Sequence, residues 1–117
     1  MIVTIQLRQA GERADFQAQA DAALRVLAVR PGFVRGSVAR ATDDESAWLL
    51  FTEWASVGAY RRALGGYDVK LTATPLMAQA LDQPSAFEEL LTIDAEGTET
   101  SVASDRAGDA DWGDRLG

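Results

Sequence analysis

A chain of 117 residues, 47% apolar and 25% charged, has the size and composition of one globular domain with one core. It contains no cysteine, histidine or asparagine, which excludes a disulfide framework, thiolate or imidazole metal ligands, a cysteine nucleophile and a histidine base. Its formal net charge of −7 argues against a nucleic-acid partner and against an anionic membrane surface, since both select basic proteins.

Residues 2–9 alternate and are rich in β-branched side chains, which predicts a first strand ended by Gly11. The segment is too short and too alternating for a signal peptide. No apolar run approaches the roughly 20 residues of a spanning helix, so the expected location is the cytoplasm. Phe16, Ala20, Ala23, Leu24 and Leu27 then recur at helical spacing. They predict one amphipathic helix over 13–29, stopped by Pro31-Gly32. Phe33 to Arg40 reads as a second strand and Ala47 to Trp54 as a third. The polar turn Thr42-Asp43-Asp44-Glu45 joins them as a hairpin. Ser56 is placed to cap a second helix carrying Ala59, Tyr60, Ala63 and Leu64, with Gly65-Gly66 as its stop. A further helical stretch covers 68–81, its second half started or kinked by Pro75. After the turn Asp82-Gln83-Pro84-Ser85, residues Phe87 to Ile93 read as the last strand.

The order β-α-β-β-α-β predicts an α+β, ferredoxin-like domain with a four-stranded antiparallel sheet. Trp48, Leu50, Thr52 and Trp54 alternate onto one face of the third strand, and Leu49, Phe51 and Glu53 onto the other. On the last strand Phe87, Leu91 and Ile93 share a face opposite Leu90. Apolar residues on both faces of a two-layer domain predict a homodimer through the open sheet face. Residues 94–117 hold two basic and seven acidic side chains with no periodicity, and read as an acidic C-terminal tail after a domain at 1–93. Trp112 is an isolated aromatic in that tail, a candidate for docking on the domain or on a partner.

Pro31-Gly32-Phe33, followed by Leu50-Phe51-Thr52-Glu53-Trp54-Ala55-Ser56-Val57-Gly58-Ala59-Tyr60, resembles the antibiotic biosynthesis monooxygenase family. The resemblance covers about residues 1–93 and implies the dimeric α/β-barrel superfamily. In the polyketide-type oxygenases of that family, a Trp and a Tyr at the positions of Trp54 and Tyr60 line the substrate pocket. Both are therefore the implied catalytic residues. The position near Leu50 is apolar here, where such enzymes can offer an amide, and the chain has no asparagine to replace it. The haem-degrading branch relies on an Asn-Trp-His set, and quinol oxygenases on a histidine base. The composition excludes both.

The activity that remains implied is a monooxygenase without metal, flavin or haem, acting on a small phenol- or hydroquinone-like aromatic. Such a substrate supplies its own electrons to oxygen, and the protein orients the ring and excludes water. Trp54 can stack on the ring, and Tyr60 can donate a hydrogen bond to a phenolate. Arg8 or Arg40 can stabilise the anion, and Phe33 completes the expected substrate-binding set. The alternative is a non-catalytic dimeric module of the same fold that binds a small aromatic or serves as a structural unit.

Each candidate also has a plain structural reading. Trp54 and Tyr60 are residues of the kind that fill a helix–sheet junction. Glu53 fits an ion pair with an arginine of a partner chain. Arg61-Arg62 fits a solvated helix face, Asp43-Asp44-Glu45 a hairpin turn and not a calcium loop, and Gly65-Gly66 a helix stop and not a phosphate cradle.

Overall fold

In the computed structural model, described over residues 1–101, strand β1 (Ile2–Arg8) lies at the middle of the sheet. Helix α1 (Arg13–Ala28) follows, then β2 (Phe33–Arg40), β3 (Ala47–Trp54) and helix α2 (Val57–Leu64). A π-helical turn, Val69–Ala73, runs into the short helix α3 (Thr74–Met77). Strand β4 (Ala86–Phe87) completes an antiparallel sheet of order β2-β3-β1-β4, the ferredoxin-like arrangement. Among the described residues no helix is long and apolar enough to cross a membrane.

The pairing register sorts the side chains by face. Val3, Ile5 and Leu7 of β1 stand opposite Thr52, Leu50 and Trp48 of β3, and all six are buried under the helices. α1 covers them with Phe16, Ala20, Ala23 and Leu27, the stripe the 3.6-residue period predicts. The two alanines let the helix lie close, and Leu24 approaches Gly36 of β2, where an added Cβ would stand 2.6 Å from Leu24 Cδ1. α2 contributes Ala59 and Ala63, and the π turn with α3 contributes Val69, Ala73 and Leu76. The outer face carries Thr4, Gln6 and Arg8 opposite Phe51, Leu49 and Ala47.

The hairpin between β2 and β3 closes on Asp44, whose carboxylate accepts from the Ser46 amide at 3.0 Å and the Ser46 hydroxyl at 2.7 Å. Arg8 donates to the same carboxylate at 3.1 Å. These bonds, those from Ser46 first, hold the Asp44 carboxyl below its ordinary value. The acidic triplet is thus a turn.

The long helical stretch read at 68–81 is broken in the structure. Pro75 offers no amide and its ring crowds the carbonyl four residues back, so the turn before it widens. The Thr74 amide donates to the Val69 carbonyl, five residues back, and its hydroxyl reaches the same oxygen at 3.3 Å.

The expected last strand is also divided. Only Ala86 and Phe87 pair with β1, opposite Val3 and Ile2. The antiparallel register takes residues beyond Phe87 past the start of β1, so the ladder with β1 ends there. Leu91–Ile93 (β5) instead pairs with Glu99–Ser101 (β6) in a separate hairpin. Its turn is built locally: Asp94 Oδ1 accepts from the Glu96 and Thr98 amides at 3.0 and 2.8 Å, and Gly97 takes a φ of 84°. Residues 94–101 therefore belong to a hairpin. Trp112 lies outside the described residues.

Candidate functional site

Trp54 ends β3 and is 1% exposed. Its ring meets Phe33 edge-on, with centroids 5.4 Å apart and planes at 84°. Tyr60 lies 5.6 Å from the same ring, tilted by 50°. Three pieces of chain make this cluster. A bulge at the start of β2 sets Phe33 opposite Trp54 while Arg35 stands opposite Glu53. Ser56 caps α2 by accepting from the Ala59 amide at 3.1 Å, which fixes the first turn that carries Tyr60. Gly32, at φ 88°, lets the two segments touch: a Cβ built there would stand 2.4 Å from Ala59 Cβ.

The indole N–H of Trp54 is already engaged. It donates to Thr52 Oγ1 at 2.8 Å, and Thr52 is itself buried. Trp54 therefore has no free donor, and its ring is enclosed, with Phe33 and Tyr60 among the groups packed on it. Tyr60 is half-buried and carries the free polar end of the cluster. Burial pushes its hydroxyl above the ordinary 10.0, so at neutral pH it is a phenol and a hydrogen-bond donor.

That shift has a consequence for stability. The folded state holds the Tyr60 proton more tightly than the unfolded chain does. The contribution is complete below about pH 10 and is lost as pH rises through the raised folded value. Urea unfolding followed across the alkaline range is expected to show this loss in the wild type and a smaller one in Tyr60→Phe. Equal alkaline slopes in the two proteins would remove Tyr60 as the source.

The structure brings Phe33, Trp54 and Tyr60 together and leaves both candidate arginines apart from them. Arg8 stands opposite Ala47 on the outer face, bound to Asp44 and to Ser46 Oγ at 2.7 Å. Arg40 shares the helix-side face but stands opposite Trp48, its guanidinium 5.8 Å from that ring. Trp48 and Trp54 are six residues apart on one strand, about 20 Å at the usual rise. The Trp48 end is a separate aromatic pair, with Phe16 at 5.3 Å and Gln9 accepting the indole N–H at 3.2 Å. Glu53 lies on the outer face and pairs at 3.0 Å with Arg35 of its own chain, where the sequence suggested a partner's arginine.

Two features were not singled out from sequence. Thr52 shares the Trp54 face by strand parity, which was legible, but its role as indole acceptor was not. The second is an open hollow of about 610 Å³ between α2 and the π turn, lined by Leu64, Lys70, Thr74, Met77 and Ala78. Leu64 lies one helical turn beyond Tyr60 on the same face of α2. The only available signal was that Lys70 is the sole lysine of the chain.

Among known structures, the chain is similar to SnoaB, a cofactor-independent oxygenase from Streptomyces nogalater. The identity is 25%, the TM-score 0.62, and the match covers 76% of this chain and 94% of that one. A Deinococcus radiodurans protein assigned to the antibiotic biosynthesis monooxygenases matches with a TM-score of 0.64 at 16% identity, covering 80% and 97%. Rv0793 from Mycobacterium tuberculosis matches with a TM-score of 0.57 at 17% identity, covering 91% and 95%. The last two show the fold alone. Comparison with curated proteins gives no significant match. The sequence model of one family, described as antibiotic biosynthesis monooxygenase, matches residues 1–73, which hold β1 through the π turn and with them Phe33, Trp54 and Tyr60. The motif at the strand–helix junction, the β2-β3-β1-β4 sheet and this match over more than half the sequence agree, and the chain belongs to the antibiotic biosynthesis monooxygenase family.

Proposed function

We propose that the chain is a cofactor-independent monooxygenase acting on a small phenol- or hydroquinone-like aromatic. Family membership supports a monooxygenase-type function, and the similarity to SnoaB supports the cofactor-independent form. The observation that carries the aromatic substrate is the Phe33–Trp54–Tyr60 cluster, whose Tyr60 hydroxyl is a protonated donor and stands one helical turn before Leu64 of an apolar hollow.

The chemistry asks little of the protein. A bound phenol loses its proton and passes an electron to oxygen. One oxygen atom enters the ring as a carbonyl, and the other leaves as water with two hydrogens of the substrate, so no external reductant is consumed. Tyr60 donates to the developing phenolate. The aromatic walls hold the ring in one orientation and keep water away from the radical pair.

Oxygen uptake by the purified protein, with no cofactor added, tests this against a panel of polycyclic phenols and hydroquinones. Trp54→Phe keeps a ring at the site but changes its shape, and is expected to lower turnover about tenfold or more, the scale of a misplaced substrate. Uptake by the wild type that Trp54→Phe leaves unchanged would take Trp54 out of the site.

A second reading, a binding module without turnover, is favoured by one observation. Trp54 is fully enclosed and its N–H is engaged by Thr52. Ligand-induced quenching of tryptophan fluorescence without oxygen uptake would select it.

We read the outer sheet face as the contact of a two-fold dimer. Leu49 and Phe51 lie half-buried on it, and Leu90, Leu91 and Ile93 are exposed on and beside β5. Sedimentation equilibrium is expected to give twice the 12.6 kDa chain mass, and a monomer for Phe51→Lys. A wild-type monomer would discard this contact.

A further inference from the structure

The hollow between α2 and the π turn has an uneven chemistry. Leu64, Met77 and Ala78 make its walls apolar, and Lys70 is its one cation. About 610 Å³ is within the usual range for a small-ligand site. No ion pair between described residues involves Lys70, whereas Arg8 and Arg35 are each held by a carboxylate. Lys70 stands on the π turn itself, the widened segment forced by Pro75. Such turns re-aim side chains and recur at functional sites. Val69 and Ala73 anchor the turn in the core, so Lys70 projects from a fixed base. The chain as a whole is strongly acidic, and its general field does not favour anions. Any preference for an anion has to be local.

We infer that this hollow takes the anionic end of the substrate: an aromatic bearing a carboxylate, with Lys70 pairing the carboxylate and Leu64 and Met77 holding the ring. The inference rests on the oxygenase reading for the word substrate, but its binding claim stands on the hollow alone. Tyr60 stands one turn before Leu64 on the same face of α2. Lys70 supplies the positive charge that Arg8 and Arg40 cannot bring to this end of the sheet. It acts as a specificity-determining residue, since it selects among aromatics by charge.

The test compares a para-dihydroxynaphthoate with the same dihydroxynaphthalene lacking its carboxylate. Both are titrated under nitrogen by tryptophan fluorescence into wild type, Lys70→Met and Lys70→Arg. The wild type is expected to bind the carboxylate about tenfold tighter than the neutral ring, the scale of a charge-assisted contact at a partly open site. Lys70→Met is expected to lose that preference while its affinity for the neutral ring and its melting temperature stay unchanged. Lys70→Arg is expected to keep it. As a second readout, acylation of Lys70 by an amine-reactive ester, followed by peptide mass spectrometry, is expected to slow when the carboxylate is bound. Equal binding of both probes, a preference that survives Lys70→Met, or no binding at all overturns the inference. Oxygen uptake is read separately once air is admitted. Lys70-dependent binding with no uptake would sustain this inference and remove the oxygenase reading.

Discussion

Trp54→Ala is expected to lower the unfolding free energy by about 3–5 kcal/mol, the usual cost of truncating a buried aromatic. The side chain is 1% exposed and is the largest fully buried one among the described residues. Removing it takes away the edge contact with Phe33 at 5.4 Å and the tilted contact with Tyr60 at 5.6 Å. It also leaves Thr52, a buried hydroxyl, without the indole donor it has at 2.8 Å. β3 stands between β1 and β2 and carries ladder bonds on both sides, so its backbone has little freedom to collapse into the cavity. Against a total stability of about 5–15 kcal/mol the loss is large, and the melting temperature is expected to fall by more than about 10 °C. Chemical denaturation of the two proteins measures it. A loss below about 1 kcal/mol would mean that the Phe33–Trp54–Tyr60 cluster is not a packed unit. The role of Trp54 in turnover is separable, because Trp54→Phe retains most of the volume.

Gly32→Ala is the second large effect, expected at about 2–4 kcal/mol. Two costs coincide at this residue. Its φ of 88° lies in the left-handed region that a side chain resists, and the new Cβ would stand 2.4 Å from Ala59 Cβ, well inside contact distance. To relieve the clash α2 must move away from β2. That disturbs the bond from the Ala55 amide to the Gly32 carbonyl at 2.8 Å and shifts Tyr60 from Trp54. Gly11 is the control. Its φ of 75° is similar, but nothing lies within 4 Å of a Cβ there. Gly11→Ala is expected to cost only the conformational part, about 1 kcal/mol. Thermal unfolding of the pair measures the difference, which isolates the contact between β2 and α2. Equal melting temperatures for the two variants would show that α2 does not press on Gly32.

Both variants disturb the contact between Tyr60 and Trp54, so both are expected to reduce binding of an aromatic at the candidate site. Their effects should differ in kind. Trp54→Ala removes a wall, whereas Gly32→Ala moves the wall that Tyr60 stands on.

The order of the elements was legible from periodicity and turn chemistry. The stripe Phe16, Ala20, Ala23 and Leu27 predicted α1, and it is the face that is buried. Ser56 predicted the start of α2 and caps it. The alternation in β3 put Trp48, Leu50, Thr52 and Trp54 on one face, and all four are buried. These are local properties: a period of 2 or 3.6, a cap and a turn are written within a few residues of each other.

What the chain could not reveal locally was decided by contacts between distant segments. Simple alternation from Gly36 and Val38 would send Phe33 to the outer face, and the bulge at Val34 reverses it and sets it against Trp54. The last strand looked continuous because its residues are strand-like throughout. It stops after Phe87 because the register carries it past the start of β1, and Leu91–Ile93 finds its partner in Glu99–Ser101. Arg8 and Arg40 had the right charge, but the strand register places both at the Trp48 end, one on each face. The hollow that Leu64 lines has Lys70 as its cation, set on a turn that Pro75 widens. The sequence by itself thus determined the elements from β1 to α2, the buried faces of α1 and β3, and the family, because those follow from spacing along the chain. Only the tertiary structure decided which of these residues share a site, because a bulge, a register and a crossing of helix over sheet bring together positions that sequence distance keeps apart.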